Sequence, residues 1–166
     1  MRVYTVGHST STLEQLVHLM HKAGVGMVVD VRSIPRSRMH QFDQAPLKRA
    51  LESAGIEYRF MGDLLGGIPR DPGMRQRWHQ GRLDPHVLSG LRASREWQQG
   101  VVKLSRLVGP NRDVGICILC SEREPSKCHR KAVALDLAEK IQGTEIVHLG
   151  VGKITRTDVG IQEALM

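Results

Sequence analysis

Two stretches, VGMVVDVR (25–32) and VGICILC (114–120), are apolar at nearly every position and rich in β-branched residues. A strand with one solvated face alternates polar and apolar side chains. A continuous apolar run needs cover on both faces, and strands inside a helix-covered parallel sheet have that cover. RVYTVG (2–7), IEYRFM (56–61) and EIVHL (145–149) supply three further β-rich runs. Between the runs the period changes to that of helices. Leu13, Leu16, Val17 and Met20 share one helical face, with Ser11 and Glu14 spaced as a capping box and Gly24 placed to end the helix. A second helix is expected over 46–54, ending at Gly55, a long one over 86–107 that Gly100 interrupts, and a strong one over 126–141. Strands alternating with helices imply right-handed crossovers. The expected fold is therefore α/β: a three-layer, Rossmann-like domain over residues 1–150, with a mostly parallel sheet of about five strands.

The rest of the chain lacks such periodicity. Residues 33–44 form a polar loop, and 62–85 a Gly-, Pro- and Arg-rich excursion with short helical turns. Gly109-Pro110-Asn111 reads as a turn, and 151–166 as a tail with no assigned structure. No run reaches the roughly 20 apolar residues of a membrane span. The first residues read as a core strand and not as a signal peptide, so a cytoplasmic location is expected. Three cysteines make no disulfide framework, which suits a reducing compartment.

The 24 Lys+Arg exceed the 17 Asp+Glu and leave a formal charge of +7. Arginine dominates the excess, with many residues between Arg32 and Arg95. Its planar fork suits carboxylate and phosphate, so anionic partners are favoured, either a small molecule or nucleic acid; a solvated basic surface is the plainer alternative.

In parallel α/β sheets ligands bind beyond the carboxyl ends of the strands. The residues there are His8 and Ser9 after the first strand, Asp30 and Arg32 at the end of the second, and Cys120 and Glu122 after the fourth. Arg36 follows in the loop, and Cys128, His129 and Arg130 open the last helix. His8, Asp30, Cys120, Glu122 and Cys128 are the candidate catalytic groups. Ser9, Arg32, Arg36, His129 and Arg130 are the candidate anion-binding groups. Asp30 and Arg32 lie two apart on one strand face and could equally form a structural ion pair. With Ser126 as a cap, Cys128 would be at the second helical position; the site there could be a reactive thiol, an anion-binding helix start or simple packing. Cys117 and Cys120, three apart in a strand, point to opposite faces, so Cys117 reads as core and the pair as no metal knuckle. His148 reads as a core histidine.

Taken in order, Thr5-Val6-Gly7-His8-Ser9, Asp30-Val31-Arg32-Ser33, Pro35-Arg36-Ser37, Leu65-Gly66-Gly67, Cys120-Ser121-Glu122, Cys128-His129-Arg130 and His148-Leu149 resemble the bacterial and archaeal domain-of-unknown-function family 488. The resemblance runs from about residue 3 to 149. It implies a compact α/β domain with the residues above as signature positions, and it brings no reaction. Ser121 stands where that family usually has Ala.

Three functions follow as expectations. The first is an enzyme acting on an anionic, phosphate-bearing substrate, a nucleotide or a nucleic-acid component. The second is a nucleic-acid-binding module without catalysis, poorly supplied with aromatic stacking residues. The third is a metal-binding protein using Cys120, Cys128, His129 and His8. The sequence leaves the cofactor and the oligomeric state open.

Overall fold

The computed structural model describes residues 1–79, 82–109, 114–150 and 153–157. Five parallel strands run through it: β1 (Arg2–Gly7), β2 (Val25–Asp30), β3 (Glu57–Phe60), β4 (Gly115–Cys120) and β5 (Glu145–Gly150). A sixth, β6 (Lys153–Thr157), lies within the 151–166 stretch that the sequence leaves unassigned and pairs antiparallel with β5. The strand order is β3-β2-β4-β1-β5-β6. The helices are α1 (Leu13–Ala23), α2 (Gln44–Ser53), α3 (Gly62–Leu65), α4 (Pro72–Arg77), α5 (Pro85–Ala93), α6 (Arg95–Leu107) and α7 (Arg130–Lys140). None of them is long and apolar enough to cross a membrane.

The layers follow from the alternation of side chains along each strand. Met27, Val29, Val31, Ile116, Ile118 and Ile146 point to one face, where Val87, Trp97, Val101, Val133 and Leu137 of α5–α7 cover them. Val6, Val28, Cys117, Leu119 and Val147 point to the other, against Leu16, Met20, Leu47 and Leu51 of α1 and α2. The continuous apolar runs thus have cover on both sides.

Several boundaries differ from expectation. The capping box of α1 is Thr12 with Gln15, one residue later than Ser11 with Glu14. The span 86–107 is two helices, parted at Ser94, whose hydroxyl caps α6; Gly100 is a buried interior residue of α6 and interrupts nothing. Of the proposed 109–111 turn, residues 110 and 111 lie outside the described residues. The last helix starts four residues late. Pro125–Lys127 form a 3-10 turn, Cys128 is extended (φ −130°, ψ 138°), and helical bonding begins at Arg130.

Connections out of β1 and β2 pass over the α1/α2 face, whereas those out of β3 and β4 pass over the α5–α7 face. β2 and β4 are neighbours, so their chains leave in opposite directions and open a crevice at their carboxyl ends.

Candidate functional site

That crevice is a cavity of about 500 Å³. Arg32 and Arg36 border it from the segment after β2, and Cys120 and Glu122 from the end of β4. Lys127, Cys128 and His129 close one side. Trp78, His79, Arg82 and Asp84, between α4 and α5, form the far wall. Arg36, Arg82 and Lys127 are exposed there, so the wall is predominantly cationic. Its two acids are partly engaged: Asp84 caps the amides of His86 and Val87, and Glu122 accepts from the Glu124 amide.

The sulfurs lie at the floor. Cys120 Sγ, Cys128 Sγ and an imidazole nitrogen of His129 are all within 4.8 Å of one another, and all three residues are buried. His129 Nε2 donates to the Val31 carbonyl at 3.0 Å. This turns Nδ1 towards the sulfurs, 3.9 Å from Cys128 Sγ. The ring packs against the Gly67 backbone. A Cβ at Gly67 would lie 2.6 Å from His129 Nδ1, which is why only glycine fits there. Trp97 meets the ring edge-to-face at 6.4 Å.

These contacts set the charges. A hydrogen bond from Cys128, opposed by burial and helped by His129 and the Ser121 amide, holds the Cys120 thiol well below its usual pKa. Cys128 shifts upwards because Cys120 holds its proton and burial disfavours its thiolate. Burial opposes charge on His129, but Cys120 beside it outweighs that and raises its pKa. The helix-start argument for a Cys128 thiolate fails because Cys128 precedes the helix. Cys117, on the other face, is fully buried and shifted upwards by burial.

The second polar cluster lies behind Arg32, on the α1/α2 side. Asp30 receives Arg32 Nε at 2.9 Å and Nη2 at 2.7 Å, and the Tyr58 hydroxyl at 2.7 Å. Arg32 Nη1 donates to the Phe42 carbonyl at 2.8 Å and to His8 Nε2 at 3.4 Å. An arginine offers only N–H donors, so His8 Nε2 must accept and its proton must be on Nδ1, which donates to the Ser9 carbonyl at 3.1 Å. Burial, then the Arg32 charge, lower the His8 pKa, and its ring stacks on Phe42 at 4.3 Å. His8, Ser9 and Asp30 do not border the cavity, and Arg32 reaches it with most of its donors taken. Ser9 is the one non-glycine residue at positive φ (44°) among the described residues, its amide bonded to the Ser121 carbonyl.

Arg130 is also internal. Fully buried, it donates to the Glu122 and Arg123 carbonyls and so clamps the loop between Cys120 and Cys128. That loop crosses the end of β1 so closely that a Cβ at Gly7 would overlap the Glu122 carbonyl.

The chain matches the family described as Domain of unknown function DUF488 over residues 12–137. It belongs to that family. No curated protein and no solved structure matches it. In this DUF488 chain the structure brings Arg32, Arg36, Cys120, Glu122, Cys128 and His129 to one cavity and leaves His8, Ser9, Asp30 and Arg130 outside it as supports. The sulfur pair and His129 could hold a soft divalent cation with one position left open, and His8 is not part of that set. Trp78, His79 and Arg82 were not anticipated as wall residues. All three come from the excursion without periodicity, where only the density of arginine hints at a site.

Proposed function

We propose that this chain is an enzyme that uses Cys120 as a nucleophile on an anionic, phosphate-bearing substrate, a nucleotide or a nucleic-acid component, in a reducing compartment such as the cytoplasm. One observation carries the reading: the Cys120–Cys128–His129 cluster and the exposed cations Arg36, Arg82 and Lys127 border the same cavity. Cationic side chains would hold the anion, with Trp78 offering an apolar wall. The Cys120 sulfur would donate an electron pair to an electrophilic centre of the substrate, and the bond to the leaving group would break. The leaving group would take the proton held by His129 Nδ1. Water, giving a proton back to His129, would then cleave the sulfur–substrate bond and return the thiolate.

Iodoacetamide labelling of the native chain tests this. Cys120 should label faster than Cys117, and inorganic phosphate or a nucleoside monophosphate should slow it. Cys117 keeping pace with Cys120, or labelling indifferent to every anion tried, overturns the reading. Protection by an oligonucleotide but by no mononucleotide would point to nucleic acid as the ligand.

A further inference from the structure

We infer that Cys120 and Cys128 form a redox couple that reduces hydroperoxides, with Cys128 as the resolving thiol. The inference rests on Cys120 being the nucleophile of the site. Its own ground is placement. The two sulfurs lie within 4.8 Å of each other, and both residues border the cavity through which an oxidant would arrive. A disulfide needs the sulfurs about 2 Å apart, a gap that side-chain rotation and a small loop movement close. Cys128 lies in extended backbone between a 3-10 turn and α7, so its side-chain rotation is not restricted by a preceding helical turn. No third thiol competes: Cys117 is in the opposite core layer and fully buried. Closing the bond would bridge the two ends of the 121–127 loop.

The chemistry balances with a hydroperoxide as the oxidant. The Cys120 thiolate attacks the outer peroxide oxygen, an S–O bond forms and the O–O bond breaks. The departing alkoxide takes a proton from His129 and leaves as the alcohol, and Cys120 is then a sulfenic acid. The Cys128 sulfur attacks Cys120, the S–S bond forms, and hydroxide leaves with the Cys128 proton as water. The pair loses two electrons and the peroxide gains them. A dithiol reductant must return the pair to its starting state.

The test treats the reduced, full-length chain with hydrogen peroxide. Titratable thiols should fall from three to one, and the intact mass should drop by about 2 Da, the loss of two hydrogens. Cys117→Ser should give the same mass loss, which assigns the bond to the other two. Cys128→Ser should stop at a sulfenic acid on Cys120 that dimedone traps. Oxygen addition to single sulfurs without a bridge, or a bridge through Cys117, overturns the inference. So does a purified protein whose sulfurs are held by zinc and resist peroxide. Anion-protected labelling of Cys120 without a bridge would leave the enzyme reading standing and remove only the redox couple; a bridge with no anion protection would do the reverse.

Discussion

Asp30 and Arg32 show how one pair of residues serves a site without entering it. The carboxylate and guanidinium meet through two parallel hydrogen bonds in a buried setting, where each alone would carry a large desolvation cost. Asp30→Asn should therefore lower stability by about 3–5 kcal/mol in urea unfolding, because it strands a buried cation. Tyr58→Phe, which removes one neutral donor to the same carboxylate, should cost about 1–2 kcal/mol. Equal effects from both would refute the ion pair as the anchor. His148 carries a second prediction. Its Nδ1 meets the Thr5 hydroxyl at 2.7 Å, and its Nε2 is buried with no partner among the described residues. Burial, with Arg130 and Lys131 nearby, lowers its pKa from 6.5 to about 4. The unfolded chain then binds more protons than the folded one between those values, so stability falls as pH falls through that window. The loss reaches about 3 kcal/mol near pH 4. His8 adds to it with the same sign. His148→Gln should flatten the slope of unfolding free energy against pH, and an unchanged slope would remove His148 as its source.

At the scale of elements, α7 and the loop before it hold the sulfurs in place. Arg130 ties that loop down through the Glu122 and Arg123 carbonyls. Arg130→Met should cost about 2–4 kcal/mol and speed iodoacetamide labelling of Cys120, since the loop loses both anchors. Destabilisation with no change in labelling would make the clamp purely structural. On the far side of α7, Asp136 accepts from Trp97 Nε1 at 2.7 Å and pairs with Arg92, locking α5, α6 and α7 together behind His129. These helices were legible from their spacing, but their ends were not. Cys128 lies four residues before Ala132 and so continues the helical spacing, and nothing local in the 126–141 pattern says that Pro125 opens a 3-10 turn first. Likewise Ser94 outcompetes Gly100 as the break, because its hydroxyl meets an orphan amide at the start of α6.

Across the whole molecule, the cavity lies where neighbouring chains leave β2 and β4 in opposite directions, and basic residues gather around it. Removing Arg36 or Lys127 as alanine should weaken phosphate protection of Cys120 by about threefold to tenfold each, as expected for exposed charge contacts of roughly 1 kcal/mol. Rising salt should weaken it further in the unaltered chain. Protection that ignores both changes would place the anion elsewhere.

The apolar runs and helical spacing were enough to establish a layered α/β sheet, and the rule that loops follow strands to one edge placed the signature residues there. Both are local properties of a chain and can be read along it. Which of those residues face the cavity was a matter of strand order and pleat. Asp30 and Cys120 each end a strand, yet the pleat sends Asp30 to the α1/α2 layer and Cys120 to the α7 layer. Only packing could bring Trp78 and Arg82 across from a separate excursion, and only packing could bring two sulfurs and one imidazole within reach of each other.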